Sequence, residues 1–415
     1  MTFSKQIVAL ASAAGVLLGA STALAQATTV ACSDTSVSAL HNPIYMAGSS
    51  AFEPILSQLA VQIAAKQGVS IIYDPISSCL GVAAVSPPVD NPVPQPLTGT
   101  AHYYTPDPTN PSNAVINSCT LAGNTMATIG VSDVAFYSCQ NIDTPAGIGE
   151  WHGPEQSMLI VVPKANYTTT AMSFQQAAAI WGCGANSGVG NFTNPIAIQQ
   201  RSQTSGTQIM IARNINVPES EFFGNANSSS SAMLTSLLAV PDPQTAIGFI
   251  AADYYATQRS KLNAVAFRGI GQTKAYYADS SATATDLKNV RDGHYMIQGP
   301  LHFFSPLTAG QPAPNAQLVL NWLTGAVPID PADTSNMNYV STVAVGGDVP
   351  QCAMKVKIDK DGGQFSPYHP PVSCTCAFEA AKSVQSAVGT CTTHCTSDAD
   401  CAAVVGTRCQ TGYCE

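Results

Sequence analysis

Between Ile44 and Tyr73 the chain spells out a complete strand–helix–strand unit. Ile44-Tyr45-Met46-Ala47 is a short apolar run that enters Gly48-Ser49-Ser50, and Pro54 falls where a helix makes its first turn. Ile55, Leu56, Leu59, Ile63 and Ala64 recur on one helical face, Gly68 stops the helix, and Val69 to Tyr73 is a second strand. This opening is what a parallel α/β domain needs. At 415 residues the chain is too long for one ordinary domain, so two domains plus an extension are expected.

A second junction of the same kind carries more chemistry. Asn194-Pro195-Ile196-Ala197-Ile198 reads as a turn and then a strand, and Ile209 to Arg213 as the opening of a helix. Between them lies Gln200-Arg201-Ser202-Gln203-Thr204-Ser205-Gly206-Thr207-Gln208. The loop offers an anion a guanidinium fork, several hydroxyls and the free N–H groups of a helix start. Taken alone it also fits an ordinary N-cap loop with a surface arginine.

Two further stretches decide between these readings: Ala47-Gly48-Ser49-Ser50-Ala51-Phe52-Glu53-Pro54 and Ile129-Gly130-Val131-Ser132-Asp133-Val134-Ala135-Phe136. Together the three stretches resemble, in order and placement, the phosphate-binding proteins of ABC uptake systems, members of the type II periplasmic binding proteins. The resemblance implies an α/β, two-lobed type II periplasmic-binding-protein fold, here with a C-terminal disulfide-rich extension. It implies a ligand clasped between the lobes by Ser50, the N–H groups of Ala51 and Phe52, Ser78 (or Ser77), Asp133, Arg201, Ser205, Gly206 and Thr207. Tyr73 to Gly81 matches the family's Tyr-x-x-Ile-x-Ser-x-x-Gly, with Leu80 where the family has a second glycine. Ala51 stands where many relatives have Thr, and Gln203 where many have an acid beside the arginine.

Asp133 carries the selectivity argument. An ionised carboxylate offers only lone pairs, so it repels sulfate and accepts the P–OH proton of hydrogenphosphate. Arsenate carries the same proton and is expected to be hard to exclude. An ABC permease partner is implied by the resemblance alone. A monomer without cofactor, metal or catalysis is expected, because Gly-x-Ser-x-Gly does not occur and His152, His294 and His302 show no nucleophile beside them in the sequence.

The resemblance divides the chain. Residues 40–154 and 299–345 are expected to form lobe I, 155–298 lobe II, and 346–415 a cysteine-rich C-terminal module. Met126 to Val134, Ser157 to Val162 and Ala246 to Ile250 read as strands, Met172 to Trp181 and Ala316 to Leu323 as helices. Residues 83–118 interrupt the pattern. Seven prolines fall between Pro87 and Pro108, which reads as an inserted surface loop whose ends Cys79 and Cys119 could tie together.

Residues 1–25 read as a signal peptide: Lys5, an apolar run from Ile7 to Leu18, and Ala23-Leu24-Ala25 as the cleavage site. Export to the periplasm or beyond is expected; a lipid anchor on Cys32 is disfavoured because Thr29-Val30-Ala31 lacks the usual leucine. Losing Lys5 moves the net charge from −9 to −10. Such a surface excludes nucleic acid as a partner and gives an anion no long-range steering.

Eight of 13 cysteines crowd the end of the chain, from Cys352 to Cys414, and the stretch from Cys391 to Cys414 has little apolar content between its cysteines. Such a segment needs bridges to hold a shape, so four disulfides are expected, with pairing undetermined. Zinc on Cys391, His394 and Cys395 is the competing reading. The other five cysteines leave one unpaired or bonded to the tail. The tail's partner is unknown. Two other functions compete with solute binding: a secreted adhesion protein built on this fold, and an exported phosphate-ester hydrolase.

Overall fold

The computed structural model describes residues 30–86, 95–110, 113–327, 339–383, 389–404 and 406–415. The expected signal peptide lies outside them. Among the described residues no helix is long and apolar enough to cross a membrane.

The molecule is built on a mixed ten-stranded sheet. The Pro43–Gly48 strand lies between Ser70–Asp74 and Ile129–Ser132 and is parallel to both. The crossover between the first two is the Glu53–Gln67 helix, which ends at Gly68 in a left-handed conformation (φ 65°). Its Ile55, Leu56, Leu59 and Ile63 are all buried, as the 3.6-residue spacing requires. Gln298–Pro306 then runs antiparallel to Ile129–Ser132 on one side and to the long Ile148–Pro163 strand on the other.

That long strand has 16 residues, which at 3.3 Å each span about 50 Å. Its first part pairs with Gln298–Pro306, and its last part pairs with Gly248–Ala251 and Leu262–Ala264. The sequence reading found only its final third, where both faces are buried and the apolar run is continuous. Phe52 packs on Phe303 at 5.6 Å between ring centroids, tying the first helix to the return strand. On the other side of the sheet's midpoint Trp181, Phe222 and Phe249 pack mutually, and the Trp181 indole donates to the Gln199 carbonyl (3.1 Å). Tryptophan thus anchors the short Gln199–Arg201 strand that carries the arginine.

Several expectations are corrected. The strand that carries the arginine is Gln199–Arg201, one step later than the expected run ending at Ile198: Asn194 accepts from the Ala197 N–H and holds 195–197 in a turn, and Ile198 forms only a bridge to Ile247. The next helix is Phe174–Cys183, begun by a Ser173–Gln176 capping box, with Met172 in a strand. The described part of the insertion is not a loop. Thr100–Pro106 and Ala114–Thr120 form an antiparallel hairpin that extends the sheet beyond Ser70–Asp74. Prolines hid it, but Pro106 closes the first strand and only Ala101, Tyr103 and Tyr104 face inward.

Nor do Cys79 and Cys119 join. Cys119 bonds to Cys32, just after the neighbouring Val30–Ala31 edge strand, and Cys79 to Cys139, stapling the Ser78–Val85 helix to Phe136–Gln140. Cys183 is free and exposed. The tail holds the four expected disulfides, Cys352–Cys374, Cys376–Cys391, Cys395–Cys409 and Cys401–Cys414. Cys391 and Cys395 are therefore not thiolates, which removes the zinc reading there.

The segment after residue 348 is fastened to the body. Met354, Cys374 and Phe378 belong to the main core, while Cys395, Cys401 and Cys414 form a small cluster of their own. A hairpin of Val356–Ile358 and Phe365–Pro367 carries Asp361 at its turn. Asp361 accepts from the Ala135 N–H (2.9 Å) and the Ser138 hydroxyl (2.6 Å). A Cβ on neighbouring Gly362 would lie 2.6 Å from that of Arg213. One turn of the tail thus touches the helix after Asp133 and the helix after Arg201.

Candidate functional site

Gly48 sets the first wall. Its backbone passes so close to the Ile129–Ser132 strand that a Cβ would sit 1.9 Å from the Val131 carbonyl oxygen, so only glycine fits. The Ser49 N–H donates to that same carbonyl (3.0 Å), and the Tyr73 hydroxyl donates to the Ser49 carbonyl. Ser50, Ala51 and Phe52 follow at the start of the Glu53–Gln67 helix, with Ala51 and Phe52 buried. The Ala51 N–H is already spent on the Ser49 hydroxyl (3.2 Å).

Ser78 opens the second short helix. Its hydroxyl accepts from the Asp133 N–H (3.3 Å). Gly81, one turn on, lies against Ala47 and Gly48, where a Cβ would meet backbone at 2.5 Å. Leu80, the departure from the resembling pattern, is exposed. Of the two candidate serines, Ser77 turns its hydroxyl to Thr204 (3.0 Å), leaving Ser78 beside Asp133.

Asp133 is almost fully buried. One carboxylate oxygen accepts from the Thr207 hydroxyl (3.2 Å), whereas Oδ1 has no partner in the structure. Burial pushes its carboxyl above the ordinary range, against the hydroxyls of Ser49, Thr207 and Ser78 and the charge of Arg201.

Arg201 is equally buried, at 3% exposure. Its backbone N–H donates to the Gln208 side chain (2.8 Å), which fixes the strand end against the next helix. Nη1 donates to Ser230 (3.2 Å), and Nη2 makes long contacts to Ser50 and the Ser228 carbonyl (both 3.4 Å). Nε has no partner. Burial pulls the guanidinium down to about 10, with the charge of Asp133 opposing.

Ser205 caps the Gly206–Ile215 helix through its backbone, and its hydroxyl makes no bond to that helix. Gly206 faces Ser78 and Asp133 directly. The Thr204 carbonyl accepts from the Cys79 N–H (3.1 Å). The structure therefore brings Ser50, Ser78, Asp133, Arg201, Gly206 and Thr207 into one buried cluster, with Ala51, Phe52 and Ser205 adjoining in sequence. Three helix N-termini meet there, and their free N–H groups favour an anion.

Sequence reasoning missed Ser49, Thr204, Ser228 and Ser230. Ser228 and Ser230 lie in Ser228-Ser229-Ser230-Ser231, where Ser229 caps the next helix by accepting from the Ala232 N–H (3.1 Å). The serine run signalled a helix start, but nothing in it pointed to the arginine.

No family model matches this chain, and no curated protein matches it. Solved structures do. The chain is similar to a protein from Clostridium perfringens described as a phosphate ABC transporter substrate-binding protein with bound phosphate. That match has 14% identity, covers 74% of this chain and 99% of that one, and has a TM-score of 0.49. It is similar to an ABC-type phosphate transport receptor from Vibrio cholerae, at 13% identity, the same two coverages and a TM-score of 0.44. It is also similar to the periplasmic phosphate-binding protein PfluDING, at 14% identity, 74% and 90% coverage and a TM-score of 0.46. The likeness to these phosphate-binding proteins is one of fold, at low sequence identity.

Proposed function

We propose that this chain is an exported solute-binding protein that encloses hydrogenphosphate between two lobes. Residues 40–154 and 299–345 form the first lobe in this reading, 155–298 the second, and 346–415 a C-terminal module. The observation that carries it is a pair of unmet needs at one site. Arg201 Nε is a buried donor without a partner, and Asp133 Oδ1 a buried acceptor without one. Each costs free energy unless something fills it. An oxyanion with bare oxygens and a single P–OH fills both: oxygens face Arg201, Ser50 and the helix starts, and the hydroxyl donates to Asp133. Sulfate satisfies only the donors and meets Asp133 with repulsion.

Binding would draw the two lobes together, and the closed form would be what an ABC permease receives. A surface-adhesion role is favoured by a different feature. The added hairpin presents exposed Ile116, and the cysteine cluster at the chain end packs on itself.

Calorimetric titration of the mature protein with phosphate, arsenate and sulfate tests the binding reading, with Arg201→Ala and Asp133→Asn alongside. Phosphate and arsenate should bind, sulfate should not, and Arg201→Ala should abolish binding. A well-folded protein that ignores phosphate would overturn it.

A further inference from the structure

A second cluster lies one strand over from Asp133 and takes no part in the oxyanion site. Glu150 and His152 are two residues apart on the Ile148–Pro163 strand, so their side chains share a face. His302, on Gln298–Pro306, is paired in register with His152. The strand geometry therefore gathers one carboxylate and two imidazoles on one patch of sheet, and one donor atom from each lies within 4.8 Å of the others.

The separations fit a metal centre. His302 Nδ1 is 2.7 Å from Glu150 Oε1, and His152 Nε2 is 3.9 Å from the same oxygen. Ligand atoms held at 2.0–2.1 Å around a tetrahedral ion are about 3.3 Å apart, between these two values. The supports of a ligand set are also present. The Thr144 hydroxyl donates to Glu150 Oε2 (2.6 Å), which orients the carboxylate and leaves Oε1 toward the histidines. His302 stacks parallel to Phe304 at 6.0 Å, and its ring meets that of His152 edge-on at 4.9 Å.

A His302–Glu150 hydrogen bond alone would account for one histidine. It gives no reason for a second imidazole beside the same oxygen. The cluster also opens onto a cavity of about 800 Å³, whose other walls include Glu155, Lys357, Tyr368 and Asp361.

We propose that Glu150, His152 and His302 bind one divalent transition-metal ion of the zinc class, with a fourth position facing the cavity. Two imidazoles and one carboxylate suit zinc, cobalt, nickel or copper better than magnesium or calcium, which prefer all-oxygen sets. Three protein ligands and an open fourth place leave room for a water or a small ligand.

The test uses the full mature chain, disulfides intact, stripped with chelator and carrying Cys183→Ser to remove the one free thiol. Zinc is titrated calorimetrically, and cobalt is followed by its visible ligand-field absorption. One equivalent of each should bind. His152→Ala, at an exposed side chain (56%), should weaken zinc binding by more than about tenfold, a loss seen even for outer-shell partners. His394→Ala, in the disulfide tail, should leave binding unchanged. No stoichiometric uptake, or equal uptake by His152→Ala, would overturn the proposal. His302→Gln should likewise lose zinc; should that variant fail to fold, the His152→Ala result still decides it.

Discussion

Gly206 lies so close to Ser78 that a Cβ at 206 would come within 2.4 Å of the Ser78 hydroxyl oxygen and 2.8 Å of the Asp133 Cβ. One methyl group is all that separates contact from collision between the Gly206 turn and the Ser78–Asp133 side, the two halves of the proposed oxyanion site. Gly206→Ala should therefore keep its fold but hold the halves apart. Overpacking of this kind costs about 1–3 kcal/mol, so phosphate affinity should fall roughly tenfold or more, read by calorimetry beside an unchanged circular dichroism spectrum. Equal affinity would show that the halves need not meet to bind.

Asp133→Asn should stabilise the unliganded protein. Burial raises the Asp133 carboxyl above its ordinary value of 3.8, and Oδ1 has no partner, so the ionised form is a cost to the fold. The sign follows from linkage. A group raised on folding contributes best below its unfolded value and loses that contribution as pH rises through its folded value. The melting-temperature advantage of Asp133→Asn should thus be greatest near neutral pH and shrink on acidification toward 3.8. The same variant should admit sulfate. A constant advantage at every pH would place the effect elsewhere.

Arg201→Lys keeps a charge and discards the fork. Lysine cannot reach Ser230 and the anion together as a guanidinium can. A hydrogen bond to a charged group is worth about 1.5–3 kcal/mol, so phosphate should bind at least tenfold more weakly. Ser230→Ala, which frees Nη1 from its 3.2 Å bond, should weaken binding less. A Lys variant as tight as the native protein would mean that charge alone suffices.

The six disulfides and free Cys183 give a direct count. Unreduced protein should react with one equivalent of a thiol reagent and Cys183→Ser with none. Removing the Cys79–Cys139 staple by paired serine substitution should lower stability by about 2–5 kcal/mol. Because Cys79 follows Ser78, it should also weaken phosphate binding, which loss of Cys395–Cys409 should not.

What was legible in the sequence was whatever the backbone dictates locally. Gly48, Pro54 and Gly68 mark a turn, a helix start and a helix stop, and each sits where that chemistry demands. Asp133 and Arg201 stood out because their motifs join strand to loop, and the fold buries them close together. The hairpin at residues 100–120 was hidden because the prolines around it, Pro106 and Pro108 among them, read as loop although they fall at the end of its first strand and beyond. Ser230 was hidden for another reason: its role exists only through the fold, which brings it to an arginine 29 residues away. Disulfide partners were illegible because strand order, not spacing, places Cys32 beside Cys119.

The Asp361–Gly362 turn has a kinetic consequence. It holds the segment after Asp133 by one bond to the Ala135 N–H and one to the Ser138 hydroxyl, and it rests on Arg213 beyond the Arg201 loop. Any motion that parts these two regions has to strip the turn from one of them. We expect a captured anion to leave at the rate at which that turn detaches, with a long residence time even where equilibrium affinity is ordinary. Asp361→Ala should then speed dissociation in stopped flow much more than it changes association. If the proposed phosphate binding holds, a chain so tethered would act less as a shuttle than as a reservoir that yields its cargo only when the tether is lifted.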